Sequence, residues 1–222
     1  MGLLCICQGA LIAQAEEVDV DFSITTLSIT LSDIVYDTEG VEPFSVVTGL
    51  RSPRFKYTGA PDITFYRLNR ELLDDQGKPT RIPIGSARVP SITGSFLFIL
   101  KPLSRNQNQF RVAVIPDGLD IFKPGMYRFI NTAPFDIALK IGESTSVIKS
   151  NGFKDIDALV KDKNTLDTVI ISMVDQQEPI RAFRGGLRYS PERRFTYIIS
   201  EKNRGRKGQV NLMGIPERVS AL

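Results

Sequence analysis

The chain has 222 residues, of which 42% are hydrophobic and 24% are charged, so it can bury a sizeable core and lacks the composition of a disordered chain. It contains no His and no Trp, and its 28 Lys and Arg residues against 25 Asp and Glu residues give a formal net charge of +3. The absence of His excludes a Ser-His-Asp triad and His-based general acid–base catalysis. The Walker phosphate loop and the glycine fingerprint of dinucleotide-binding proteins are also missing.

The first fifteen residues, MGLLCICQGALIAQA, resemble a secretory signal peptide. They carry no charge, end in the small-x-small pattern Ala13-Gln14-Ala15, and precede an acidic segment. The basic residues that usually begin such a peptide are missing, and a buried N-terminal strand or helix is the alternative interpretation. The apolar run is shorter than the ~20 residues that span a bilayer, so no transmembrane span is predicted. We expect cleavage near Ala15 and a periplasmic or extracellular location.

Both cysteines, Cys5 and Cys7, lie inside this segment. Neither follows the small residue that a lipoprotein signal places beside its cysteine, so a lipid anchor is not favoured. The mature chain would contain no Cys, and disulfides and thiol redox chemistry would be impossible. Ordinary zinc and copper sites would have only carboxylates as ligands. We predict no cofactor.

Short runs that alternate apolar and polar residues follow one another along the rest of the chain, separated by Gly and Pro. The first run, at 21–36, interrupts its alternation after Ile24, which indicates a bulge or a bend. Gly185-Gly186 is predicted to form a turn or bulge, and one short helix is considered at 153–163. The pattern predicts an all-β protein with an immunoglobulin-like β-sandwich fold and at most one short helix. The further predicted strands cover residues 61–68, 94–101, 109–116, 125–132, 135–142, 168–175, 194–200 and 208–216.

Residues 96–117 resemble residues 195–217, which suggests an internal duplication. Both segments contain a strand, a polar loop and a second strand that ends in Ile-Pro and an acidic residue. Upstream, residues 52–59 resemble residues 178–186 more loosely, and chance similarity between β sequences is the alternative. A duplication would give two related sandwich units. The predicted organisation is a signal peptide at 1–15, a first unit at 16–120 and a second unit at 121–222.

The segment KPGMYRFIN combines a Pro-Gly turn with a strand in which Tyr127 and Phe129 share a face. Residues 127–142, YRFINTAPFDIALKIG, are similar to uncharacterised secreted modules of the bacterial envelope, in which Arg-Phe-x-Asn-x-x-Pro precedes an alternating strand. The resemblance implies a β-sandwich fold and a location in the cell envelope. It implies no catalytic residues.

Carboxylates could still catalyse, since two with different pKa values can hydrolyse glycosides. All candidates lie in loop-like sequence, where acidic side chains usually remain solvated, and none has the aromatic neighbours that would hold a sugar. Calcium could use the oxygen ligands of one short segment, Asp155, Asp157, Asp162 and Asn164. The spacing of these residues is not that of an EF-hand, and lysines are interspersed among them. We therefore predict no catalytic residue and no metal site. The candidate groups are Glu71 with Asp74 and Asp75, Asp117 with Asp120, and Asp155 with Asp157.

Charge is distributed unevenly along the chain. Residues 16–50 contain eight acidic residues and no Lys or Arg, whereas residues 181–222 contain ten Lys and Arg against three acidic residues. Either these segments lie side by side, within one molecule or between neighbours, or the basic end contacts an anionic polymer. Nucleic acid is not favoured, because export would separate the chain from it and Arg-Gly-Gly occurs only once, at 184–186. The aromatic residues nearby alternate as in a sandwich core: Phe183, Tyr189, Phe195 and Tyr197.

The most basic short stretch lies between the last two predicted strands. Lys202, Arg204, Arg206 and Lys207 are the predicted binding residues of this loop, with a plain solvated hairpin tip as the alternative. We expect an exported, non-catalytic binding or structural module of the bacterial cell envelope. Its partner would be an anionic envelope polymer, another protein or a second copy of itself, bound through complementary acidic and basic surfaces. The alternatives are a carboxylate-based hydrolase acting on an envelope or extracellular polymer, and an assembly-assisting protein that pairs a sheet edge with a client.

Overall fold

A computed structural model describes residues 17–38, 40–103, 108–159, 166–174, 180–202 and 209–219. Within these ranges every regular element is a β-strand. The first eight strands are β1 (Val18–Thr26), β2 (Leu31–Tyr36), β3 (Phe44–Val46), β4 (Phe55–Gly59), β5 (Asp62–Leu73), β6 (Pro79–Arg88), β7 (Thr93–Pro102) and β8 (Phe110–Pro116). The next eight are β9 (Met126–Asn131), β10 (Ile137–Ile141), β11 (Ser144–Ile148), β12 (Phe153–Asp157), β13 (Leu166–Met173), β14 (Ile180–Arg188), β15 (Arg193–Glu201) and β16 (Val210–Arg218).

The first eight strands form one sandwich unit of two four-stranded sheets, in the orders β4-β1-β7-β8 and β3-β2-β5-β6. Alternating apolar side chains from both sheets enclose one core, which contains Phe22, Phe65 and Phe98. The Phe22 ring meets the rings of Phe65 and Phe98 edge-on, with centroids 6.1 and 5.1 Å away. β1 lies between two later strands, because it pairs in parallel with β7 and antiparallel with β4.

The last eight strands repeat this arrangement, in the orders β12-β9-β15-β16 and β11-β10-β13-β14. Each strand takes the place of the strand eight positions earlier, and the parallel pair β9–β15 is the counterpart of β1–β7. A second core lies between these two sheets and contains Phe129, Leu139, Ile171 and Ile199. The prediction of an all-β protein made of two sandwich units is confirmed.

The hairpins β7–β8 and β15–β16 have the register that the sequence similarity predicts. Phe96 lies opposite Pro116 and Phe195 lies opposite Pro216, so the two Ile-Pro-acid segments occupy the same place in each hairpin. The looser similarity between residues 52–59 and 178–186 does not correspond to equivalent strands of the two units, and that prediction is wrong. It aligns β4, an edge of the sheet that contains β1, with β14, an edge of the sheet that contains β13.

The two units pack together through the outer faces of the sheets that contain β1 and β9. Lys101 on β7 crosses the junction, where its ammonium donates a hydrogen bond to the Thr132 carbonyl oxygen at 2.5 Å. The predicted boundary after residue 120 falls between β8 and β9, in a segment whose Phe122 side chain is fully buried. A separate apolar cluster fills the junction and contains Leu97, Ile99 and Ile115 of the first unit with Ile130, Ile198 and Ile215 of the second.

Two local predictions are wrong. Residues 153–157 form β12 rather than the start of a helix, because their backbone pairs antiparallel with β9. Gly185-Gly186 lies inside β14, opposite Val169 and Thr168, and forms no turn. The interruption after Ile24 does coincide with a bend, which separates β1 from β2. The described ranges contain no helix with the length and apolarity needed to cross a membrane.

Candidate functional site: a basic sheet face and a buried charge network

One of the four predicted binding residues, Lys202, is described by the structure and follows β15 directly. Lys202 is exposed, and its backbone N–H donates a hydrogen bond to the Gln209 carbonyl oxygen at 3.0 Å. Arg204, Arg206 and Lys207 lie outside the described residues. A binding role for this loop therefore stays a prediction.

A second concentration of basic residues lies on the outer face of the sheet β11-β10-β13-β14. All four cations are exposed: Lys140 lies on β10, and Arg181, Arg184 and Arg188 lie on β14. We call these four residues the basic face. Lys140 shares a row with Arg184, since both lie opposite Ile170 of the intervening strand. Most other side chains of this face are small or hydroxylic: Ala138, Thr145, Thr168, Ser172 and Gly186.

Strand geometry places these cations on one side of the sheet. Leu139 and Ile141, on either side of Lys140, are buried in the second core, so Lys140 points outward. Arg181 and Arg184 are an odd number of residues apart, and a regular strand would place them on opposite faces. A register shift between β13 and β14 inserts one residue between them, and both side chains reach the outer face.

The basic face has no carboxylate partner among the residues that the structure describes. Two exposed arginines of the first unit, Arg70 and Arg88, differ in this respect. Arg70 forms an ion pair with Asp33 at 2.5 Å, and Arg88 forms one with Asp62 at 2.9 Å. Four neighbouring cations without compensating anions produce a positive potential that can attract a polyanion.

Four arginines surround the fully buried carboxylate of Asp117 at the junction of the two units. Arg51 and Arg194 donate hydrogen bonds to it at 2.5 and 2.9 Å, and Arg54 and Arg128 approach it at 3.2 and 3.4 Å. The first unit supplies Arg51 and Arg54 from the segment between β3 and β4. The second unit supplies Arg128 from β9 and Arg194 from β15. Asp117 therefore ties the two units together.

Two further carboxylates balance these arginines. Glu217 contacts Arg51 at 2.9 Å and Arg194 at 2.8 Å, and Asp155 on β12 accepts two hydrogen bonds of 2.6 Å from Arg128. Every buried charge in this group has an opposite charge within reach, which burial requires. We call the group the junction network, and it consists of Arg51, Arg54, Arg128, Arg194, Asp117, Asp155 and Glu217.

The junction network corrects the expectation that all candidate catalytic acids are solvated. Asp117 is buried among arginines, whereas Asp120 is exposed. Asp155 is held by Arg128, whereas Asp157 is exposed. Asp117 is thus a structural charge at the unit junction. The third candidate group is exposed near the tip of the β5–β6 hairpin and comprises Glu71, Asp74 and Asp75.

The calcium hypothesis gains no ligand cluster. Across the described ranges, no three His, Cys, Asp or Glu side chains are grouped so that they could hold a metal ion. Asp162 and Asn164 lie outside those ranges.

The acidic segment 16–50 and the basic segment 181–222 are not joined by ion pairs in the part of the chain that the structure covers. Asp33 pairs with Arg70 inside the first unit, and Glu192 pairs with Arg218 inside the second. The alternative in which the two segments lie side by side within one molecule gains no ion pair from these residues.

The aromatic residues of β14, β15 and the turn between them belong to the second core, as the alternation predicts. Tyr197 is buried, and Phe183, Tyr189 and Phe195 pack against the same cluster. Burial raises the pKa of Tyr197 to about 12, and the nearby negative charge of Asp167 adds to the effect. These rings fill the sandwich and do not form an open stacking surface.

Sequence reasoning missed both the basic face and the junction network. The basic face was visible in part from the sequence, because the run RAFRGGLR places three arginines within eight residues. Its two glycines suggested a turn instead of a strand. The junction network had no such signal, because its members come from six separate segments of the chain.

A scan of the chain against protein-family models finds no match, and a search among curated proteins finds no similar sequence.

Proposed function

We propose that the protein is an exported, non-catalytic binding module of the bacterial cell envelope that holds an anionic polymer on its basic face. The observation that carries this proposal is the set of four exposed cations on one sheet face, without a carboxylate partner among the described residues. Export and an envelope location rest on the signal-like segment 1–15 and on the resemblance of residues 127–142 to envelope modules.

The spacing of the cations suits a polymer with repeated negative groups. Arg184 and Arg188 lie four residues apart on one strand, a distance of about 13 Å, and Lys140 lies two strands from Arg184, about 10 Å away. A flexible chain of phosphate, sulfate or carboxylate groups can contact several of these cations at once. Each contact releases counterions, so the affinity falls as salt rises. Arginine suits phosphate because it donates two parallel hydrogen bonds.

Binding of inorganic polyphosphate, measured by calorimetry from ~0.05 to ~0.5 M salt, tests the proposal. The variant Arg181→Gln/Arg184→Gln/Arg188→Gln should bind roughly 10- to 100-fold more weakly at low salt, since each lost exposed contact contributes up to ~1 kcal/mol. Its salt dependence should also be shallower, because fewer counterions are released.

Two matched variants separate this site from the alternatives. Arg70→Gln/Arg81→Gln/Arg88→Gln removes the same charge from the first unit and should bind nearly as the native chain does. Neutralising Lys202, Arg204, Arg206 and Lys207 tests the hairpin loop. If the loop variant loses binding while the β14 variant retains it, the basic face is not the site and the loop hypothesis is correct. Equal losses in all three variants would show that net charge alone governs binding.

A further inference from the structure

The edge strands of the four sheets differ in how well they are protected from pairing with another chain. Natural proteins block sheet edges with charged residues, Pro, bulges or very short strands. Seven of the eight edge strands in the described sheets carry such a feature: β3 has only three residues, β4 has Lys56, β6 has Pro79 and Pro83, β8 has Arg111 and Pro116, β12 has Lys154, β14 has its arginines and bulge, and β16 has Pro216. The eighth, β11, has none.

β11 has the features of a strand that can accept a partner. Its residues, Ser-Thr-Ser-Val-Ile, contain no charge and no Pro, and Val147 is 55% exposed. It pairs with β10 in an unbroken register from Ile137 opposite Ile148 to Ile141 opposite Ser144, so the strand is regular over its whole length. In the described part of the chain no strand pairs with its other edge.

The residues that flank β11 indicate which partner fits. Glu143 precedes the strand and Lys149 follows it, and both side chains are exposed. In an antiparallel pair of two identical strands centred on Ser146, each Glu143 lies opposite Lys149 of the other copy. The same register places Thr145 opposite Val147, and no like charges face each other. A shift by two residues would lose both ion pairs.

We propose that β11 pairs with β11 of a second copy of this chain, forming a symmetric dimer about a two-fold axis at Ser146. A two-fold interface uses the same surface on both subunits, as this self-complementary register requires. Lys149 already contacts Asp136 at 2.7 Å, but its side chain is 78% exposed and its ammonium has three donors. It can therefore bind Glu143 of the second copy while it keeps Asp136.

The dimer would join two four-stranded sheets into one continuous sheet of eight strands. The basic faces of both copies would then lie on the same side of that sheet, which would double the cationic surface offered to a polymer. Five-residue strands bury far less than the ~1,200 Å² of a stable interface, so the dimer should be weak and concentration-dependent. The pairing does not depend on the proposed function, because each basic face is complete within one copy.

Sedimentation of the full chain over a wide concentration range tests the dimer. The average mass should rise from 24.7 kDa toward twice that value. Glu143→Lys and Lys149→Glu should each weaken dimerisation roughly 5- to 30-fold, because each replaces two attractions by two repulsions. The double variant should restore it. Residues 143 and 149 flank opposite ends of β11, whose five residues span about 17 Å, and they cannot pair within one molecule, so restoration identifies the contact between copies.

A cysteine on the two-fold axis provides a second measurement. With Cys5 and Cys7 replaced by Ser, Ser146→Cys should form an intermolecular disulfide under mild oxidation, because position 146 of one copy faces position 146 of the other. Ser144→Cys should cross-link much less, since it faces Ile148. A chain that remains monomeric at high concentration, or a dimer that the charge exchange does not restore, would overturn the proposal.

Discussion

At the scale of a single residue, Asp117 joins the two units, because it contacts Arg51 of the first unit and Arg194 of the second. The internal similarity places it in the same position as Glu217, and the structure brings both carboxylates into the junction network. The solvated environment expected for Asp117 was wrong, because the chain around it looks like a loop while its arginine partners come from distant segments. Arg128 occupies the position on β9 that Ser23 occupies on β1, so the second unit supplies cations that the first lacks.

Replacing Asp117 with Asn should destabilise the protein by about 3–5 kcal/mol, because it keeps the shape of the side chain and leaves four arginines with too little negative charge. The free energy of unfolding in urea gives the measurement. Asp120→Asn, at an exposed carboxylate three residues later, should change it by no more than about 0.5 kcal/mol. Similar stability of the two variants would contradict the role of Asp117 at the junction.

At the scale of elements, strands with two or more alternating apolar residues were predictable, and most edge strands were not. β7, β8, β13 and β15 each present a clear apolar pattern because one face is buried in a core. β4, β11 and β12 are short, and β6 and β14 are largely exposed, so their sequences carry little periodicity. These strands form because neighbouring strands supply their hydrogen bonds, which is information that lies elsewhere in the chain.

The close approach of β6 to β8 predicts a specific sensitivity at Gly85. A Cβ atom there would lie 2.6 Å from the Phe110 carbonyl oxygen, a backbone atom that cannot easily move away. Gly85→Ala should therefore destabilise the protein by about 1–3 kcal/mol through overpacking. Ser86→Ala, at the exposed neighbouring position, is the control and should lie within about 0.5 kcal/mol of the native chain. Equal urea midpoints for the two variants would contradict this prediction, because they would show that β6 and β8 can move apart at little cost in stability.

At the scale of the whole molecule, the sequence shows that the C-terminal fifth is basic but not which cations remain free. The carboxylates of the junction network neutralise the charge of Arg194, and Arg218 pairs with Glu192. Arg181, Arg184 and Arg188 remain exposed, and a bulge brings Arg181 to the face that Arg184 and Arg188 share. Net charge is a property of composition, whereas an unpaired cationic surface depends on which side chains the fold neutralises. The hairpin loop was the natural prediction from the sequence, and the basic face emerges only from the sheet.

The most direct test of the central claim is to observe the arginine side chains during binding. In NMR spectra of the native chain, the Nε–Hε signals of Arg181, Arg184 and Arg188 can be assigned through single Arg→Lys variants and then titrated with polyphosphate. The account predicts that these three signals shift together with increasing polyphosphate and return toward their free positions as salt rises. Shifts confined to Arg204 and Arg206 in the hairpin loop, with the β14 signals unchanged, would contradict it.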